Sequence, residues 1–484
     1  MSAAIGVLPL PPSYDVVPPP DLSDLSSLIS SDLQLSDLPS YSRSPAQAPV
    51  ASSGPARSTG RSPPQEFHYE LNKKGKTFAI LTIIADGQIS RQMPIFIEGQ
   101  PVKGRVQLML DKPDAIQSVT INVLGQFITG ANQGEQLSFI DISHTLWTQT
   151  DGEPRNVNSG DGDSSPTTPN PPTKYSGKLV GNYTWSFSID LPKQVVVPYG
   201  KQNEPQIFTP PQTFNERHTR ASINYEVSLR LGRNKLRVDH RIPAAFGYIP
   251  ITRPPPMPPL RLQAYAQGTS LLGPTIDPDG WHSTDAVSIK GRAFNSRAFN
   301  IQCKLFLAKP LAYTRGSVIP LCLRLESPDA QVLDMLSNPK AIVTRMRRRI
   351  KYHYNAEKTV ESFAWRDAID HSQLALWWPS AEGSEDRHGR VRYVNGELHL
   401  RSDIKPTSAM SSFRVEYSIV LFQFDAVGVD CSESPEDLIE QPVDIVTAYA
   451  PGARPRMLAP PGYEADIAVQ QVTQVVSVER MGFF

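Results

Sequence analysis

Three cysteines in 484 residues, Cys303, Cys322 and Cys431, are too few and too far apart for a disulfide scaffold or a Cys-only zinc site. No run approaches the ~18 apolar residues of a membrane-crossing helix. The longest candidates, such as Phe78 to Ile84 (FAILTII), are strand-sized. The opening MSAAIGVLPLPP has no basic residue ahead of its short apolar stretch, so no secretory signal peptide is expected there. An excess of either charge is missing too. Lys+Arg and Asp+Glu each number 48, which argues against a globally basic partner of nucleic acid. HExxH, P-loop, GxSxG and dinucleotide-binding glycine patterns are all absent, and the nine histidines are scattered. The expectation is a cytoplasmic, non-enzymatic protein with no catalytic residues, no metal and no cofactor.

What the chain does have is proline, 46 residues, about twice the average usage. Residues 1–66 hold 12 Pro and 15 Ser against two aromatics, Tyr14 and Tyr41. Such a segment buries too little apolar surface to offset the entropy of ordering it, so a disordered tail is expected. Asp151 to Lys174 has the same character between strand-like segments and reads as a long surface loop. The run Ile251 to Leu262 (ITRPPPMPPLRL) favours a semi-rigid polyproline II path between two folded bodies.

Between these islands the dominant period is two. Ile223, Tyr225, Val227, Leu229 and Leu231 alternate with Asn224, Glu226, Ser228 and Arg230. Tyr183, Trp185, Phe187 and Ile189 repeat the pattern, as do Phe413, Val415, Tyr417, Ile419 and Leu421. Alternation of this kind marks half-buried antiparallel strands. Helix signals are thin. The best is SPDAQVLDML, with Ser327 as N-cap, Pro328 at the first helical position and Val332, Leu333 and Leu336 on one side. The fold class is therefore all-β: two consecutive immunoglobulin-like β-sandwich domains at 67–250 and 285–450. A Pro-rich linker at 251–284 joins them, and tails at 1–66 and 451–484 flank them.

Several segments resemble the arrestin family. Phe96-Ile97-Glu98-Gly99-Gln100-Pro101-Val102-Lys103-Gly104-Arg105-Val106 is similar to the strand-turn-strand signature of arrestin N-terminal domains. Gly181 to Pro192 resembles the family's glycine, alternating-aromatic and Leu-Pro segment, and Phe246-Gly247-Tyr248-Ile249-Pro250 its exit. Pro310 to Leu321 resembles the tyrosine–glycine turn that opens an arrestin C-terminal domain. The resemblance implies the arrestin fold across roughly 67–450; whether the family's polar core latches the two domains is not legible in the sequence, because its charges come from distant segments.

The tails add a second motif. Pro11-Pro12-Ser13-Tyr14 and Pro460-Pro461-Gly462-Tyr463 are PPxY sequences, the ligand class of WW domains, whose aromatic groove takes a preformed polyproline turn and whose neighbouring pocket takes the tyrosine. Composition gives ~0.14 chance matches per chain, so two are informative where one is not. Pro11, Pro12, Tyr14, Pro460, Pro461 and Tyr463 are the expected WW-domain contacts.

With PPxY tails, the resemblance points to the α-arrestin branch and implies an adaptor. Such an adaptor recruits a WW-domain HECT-type E3 ubiquitin ligase to the cytosolic tails of plasma-membrane transporters or receptors, promoting their ubiquitination and endocytosis. Endocytic adaptor machinery and peripheral membrane association at the plasma membrane and endosomes belong to the same expectation. The alternative is a trafficking or signalling scaffold that binds cargo through its body without any ligase. For cargo or lipid headgroups the candidate contacts are Arg345, Arg347, Arg349 and Lys351, which share one face if RMRRRIK is a strand; the competing reading is a solvated face balanced by nearby acids.

Overall fold

A computed structural model describes residues 64–73, 75–86, 90, 92–132, 134–154, 175–199, 204–217, 219–233, 237–353, 365–382, 389–460 and Tyr463. The PPSY motif and almost all of the 1–66 tail lie outside these residues, as do positions 155–174 of the expected loop and Pro461.

The first sandwich contains twelve strands: β1 Gln65–Lys73, β2 Lys76–Ala85, β3 Ile95–Ile97, β4 Val102–Asp114, β5 Ile116–Ile128, β6 Gln136–Thr148, β7 Leu179–Ile189, β8 Val195–Tyr199, β9 Glu204–Phe208, β10 Phe214–Asn215, β11 Ser222–Arg233 and β12 His240–Ile249. One sheet runs β1-β2-β4-β7 and the facing one β3-β12-β11-β5-β6, with β10 on β11 and a separate β8-β9 ribbon. The alternation read from the sequence is the burial pattern of β11, where Ile223, Tyr225, Val227, Leu229 and Leu231 are all buried. Each such side chain contributes about 1.5–3 kcal/mol by leaving water. Ser228 departs from the pattern, being buried on the other face.

The second sandwich adds β13 Trp281–Ser283, β14 Val287–Ala293, β15 Arg297–Ala308, β16 Ala312–Thr314, β17 Val318–Glu326, β18 Thr344–His353, β19 Trp365–Leu374, β20 Leu376–Pro379, β21 Val391–His399, β22 Ser408–Met410, β23 Phe413–Phe422, β24 Val429–Asp430 and β25 Asp437–Val446. Its sheets run β20-β21-β17-β15-β14-β24, with β13 on β15, and β16-β25-β23-β18-β19, with β22 on β23.

The two sandwiches share one device. The short β3 lies parallel on the last strand of its domain, β12, and β16 lies parallel on β25. The turn that follows each is tied to the same strand end, Glu98 N–H to the Ile249 carbonyl at 2.9 Å and Arg315 N–H to the Val446 carbonyl at 3.0 Å. Two of the four motifs that carried the family resemblance, Phe96 to Val106 and Pro310 to Leu321, contain these turns. Their glycines have separate causes: Gly99 takes φ +82, while a Cβ on Gly104 would sit 2.2 Å from the Thr82 carbonyl and collide with the Phe187 ring.

Two helices depart in detail from expectation. The linker is extended through Pro258, then Pro259 opens α1, Pro259–Gln267, because proline at a first helical position gives up an N–H that would be unpaired anyway. Arg261, Ala264 and Tyr265 of α1 are buried, with Arg261 bonded to the carbonyls of Lys309 and Gly280 in the second sandwich. The second helix, α2 Ala330–Leu336, begins two residues later than SPDAQ suggested. Asp329 rather than Ser327 is its N-cap, accepting from Val332 N–H at 3.2 Å, while Ser327 Oγ accepts from Asp329 N–H. Val332, Leu333 and Leu336 are fully buried, so the helix closes the core.

Candidate functional site

The second tyrosine motif begins against the body. After β25 the chain passes back along the second sandwich; Ala450 and Ala459 are buried, and Leu458 N–H donates to Glu397 Oε1 at 2.5 Å. Glu397, on β21, is 1% exposed and has His399 Nε2 3.2 Å from its other oxygen. A buried carboxylate with few partners holds an offered N–H firmly, so residues 450–460 form a strap. Pro460 is half-buried, and its carbonyl accepts from Tyr463 N–H at 2.9 Å. Pro11, Pro12, Tyr14 and Pro461 lie outside the described residues.

RMRRRIK is a strand, the central β18, flanked by β19 and β23. Arg345, Arg347, Arg349 and Lys351 share its outer face while Met346 and Ile350 point into the core. That face is largely neutralised. Arg347 is paired with Asp437 at 2.6 Å and Glu440 at 3.0 Å, and its Nε lies 2.8 Å from His371 Nε2. Arg349 is paired with Asp367, and Lys351 with Glu416 at 2.9 Å. Only Arg345 of the four has no ion pair among the described residues. Burial and the Arg347 charge lower the pKa of His371, so it adds little positive charge near neutral pH.

The residue that the pattern hid is Arg348. It projects to the opposite face and reaches the first sandwich, holding both oxygens of Glu216 at 2.7 and 2.9 Å and Asp370 at 2.5 Å. Burial opposes its charge, but the carboxylates of Asp370 and Glu216 outweigh this and raise its pKa.

A second buried guanidinium, Arg315, donates to Gln212 Oε1 at 3.0 Å and the Ile404 carbonyl at 3.2 Å. Lacking a carboxylate contact, it has its pKa pulled down by burial to about 10. Apolar contact completes the junction: Phe413 packs on Phe127 and Phe214, with ring centroids 5.6 and 5.0 Å away. Beside it the two domain exits are laced together. Thr252 N–H donates to Thr447 Oγ1 at 2.9 Å, and Thr447 N–H to Thr252 Oγ1 at 3.1 Å. Charges from distant segments thus meet between the domains; Glu216 and Arg348 are 132 positions apart, and no local signal links them.

Residues 85–250 match the family model for the arrestin (or S-antigen) N-terminal domain. That stretch of the first sandwich is an arrestin N-terminal domain. The match spans β3 through β12, including the parallel β3–β12 pairing and the glycine turn, and the second sandwich repeats that pairing in β16 and β25. No curated protein matches the chain. Proteins of the arrestin family are typically adaptors without catalytic activity. Among the described residues no group of three or more His, Cys, Asp or Glu could hold a metal ion, and no helix is long and apolar enough to cross a membrane.

Proposed function

We propose that this protein is a ubiquitin-ligase adaptor of the α-arrestin type. Its two PPxY motifs bind WW domains of a HECT-type ligase, and its body binds the cytosolic tail of a plasma-membrane transporter or receptor. The adaptor brings ligase and cargo together and makes or breaks no bond itself. The observation that carries the reading is the pairing of an arrestin body with PPxY sequences on both flanks, Pro11 to Tyr14 and Pro460 to Tyr463, the second emerging directly from the strap on the second sandwich. Two motifs on one chain raise the effective concentration for a ligase with several WW domains.

The neutralised β18 face makes Arg345 the strongest remaining cargo contact of the four basic residues, because an acidic peptide must displace internal carboxylates from Arg347, Arg349 and Lys351 before pairing with them.

The test is titration of peptides 1–66 and 450–484 with a tandem WW protein, alongside Tyr14→Ala and Tyr463→Ala. Micromolar binding, about −8 kcal/mol, that vanishes with the tyrosines supports the adaptor. Binding that ignores both substitutions leaves the ligase-free scaffold as the better account.

A further inference from the structure

We propose that the end of the first sandwich remote from the domain junction is a docking surface for an anionic lipid bilayer. The junction lies where β5 ends and β11 begins, around Phe127, Phe214 and Glu216. At the opposite ends of the same strands, the described residues flanking the β1–β2, β4–β5 and β11–β12 connections stand side by side. Their order is fixed by the pairings of β1 with β2, β2 with β4 and β11 with both β5 and β12.

These flanking residues include Lys73, Lys76, Lys112, Arg233 and Arg237. One carboxylate, Asp114, stands 2.6 Å from Arg233, 3.7 Å from Arg237 and 3.9 Å from Lys73. Asp111 pairs with Lys76 at 2.7 Å, and Lys112 has no ion pair among the described residues. Asp239 is occupied by Arg230 at 2.7 Å and by the Arg233 N–H. Even with Glu70, which accepts from Thr77, counted beside Asp111 and Asp114, the cations outnumber the acids. The next acids, Asp151 and Glu153, follow β6 on the other edge of the sandwich, so the positive side is the β1–β12 side.

Apolar residues stand in the same place without cover. Val238, next to Arg237, is 85% exposed, and Val180, at the start of β7 beside Asp114, is also exposed. Chemistry selects the occupant. An exposed valine among lysines and arginines suits the boundary between headgroups and acyl chains. The β18 face is the weaker candidate: Ile369 is exposed opposite Arg349, but three of its four cations are paired within the sheet. This surface does not depend on the PPxY reading, since no residue of either motif takes part.

The experiment is co-sedimentation of the full chain with phosphatidylcholine vesicles, with and without phosphatidylserine. The chain is expected to pellet only with the anionic vesicles, and less as salt rises. Charge near such a surface is worth about 1 kcal/mol per residue, so K112E/R237E should lower the partition coefficient at least about tenfold. Val238→Asp should lower it more than Val238→Ala. All three positions are exposed, and an unchanged melting temperature shows that the variants fold. Equal sedimentation of wild type and K112E/R237E, or no preference for anionic vesicles, overturns the proposal. Binding of a soluble poly-glutamate peptide without vesicle binding overturns it as well, assigning the surface to an acidic protein partner.

Discussion

The Arg348–Glu216 contact yields a measurable prediction about how the two domains are held together. At about 3 Å, with an effective dielectric near 20, the gross attraction is about 5–6 kcal/mol. Both side chains are only about one-fifth exposed, so desolvation removes much of it, and a coupling of about 2 kcal/mol should survive. The assay is a double-mutant cycle on urea and calorimetric unfolding. Arg348→Met leaves Glu216 and Asp370 facing each other without their cation and should cost about 3 kcal/mol. Glu216→Gln, which leaves the Asp370 contact intact, should cost about 1.5 kcal/mol, and the double variant about 2.5 kcal/mol. A two-domain chain need not unfold in one step, so calorimetry gives the second readout: Arg348→Met should separate the unfolding of the two sandwiches. High salt should weaken the coupling by less than half, because the pair is sheltered from counterions. A coupling below about 0.5 kcal/mol, with the two sandwiches still melting together, would refute the view that this contact joins the domains.

Leu458→Pro removes the N–H held by Glu397. In a Tyr14→Ala background it should raise the affinity of the full chain for a single WW domain toward that of peptide 450–484; equal affinities before the substitution would show that the strap does not restrain the motif. Burial raises the pKa of Tyr265 to about 12. A neutral form favoured by folding gives stability that is present below the unfolded value near 10 and lost as pH climbs through about 12. Tyr265→Phe should therefore shrink the fall in urea midpoint between pH 9 and pH 12, with little effect at neutral pH. Cys303, Cys322 and Cys431 are buried, and burial raises the pKa of each. A thiol reagent should accordingly modify them only at the rate of unfolding, and fast labelling of the native chain would contradict their placement.

Most strands were legible because they are half-buried: period-two alternation is a direct image of one face in the core, and β7 and β11 show it almost without error, whereas β23 also buries Ser418 and Val420 on its other face. The family signature was legible for a related reason. A turn that must return its chain alongside the domain's last strand tolerates few residues, and Gly99 and Gly104 mark where side chains do not fit. Long-range pairing was illegible. Arg347, Arg349 and Lys351 read as a free basic stripe because their acids, Asp367, Glu416, Asp437 and Glu440, come from β19, β23 and β25, and only the sheet register brings them opposite. Those acids recur on the polar positions of neighbouring strands, and that pattern was the available signal. The linker prolines were also ambiguous, since the same residue that extends a chain through 254–258 starts a helix at 259.

Internal pairing on β18 contrasts with excess charge at the far end of the first sandwich. Acids and bases each number 48 over the whole chain; on β18 the cations pair with acids of the same sandwich, whereas at the far end of the first sandwich the cations outnumber the acids. The junction then fixes where that excess points. β11 runs from the junction to the cationic turns over twelve residues, about 40 Å at ~3.3 Å per residue. The PPGY strap lies on the second sandwich, beyond the junction from those turns. Under the proposed adaptor reading, a rigid junction would hold a bilayer contact and a ligase motif on different domains. A weakened junction would leave each contact intact in isolation while loosening their relative placement. Loss of Arg348 should therefore impair joint recruitment to membrane-bound cargo more than it impairs binding of either WW domains or vesicles alone.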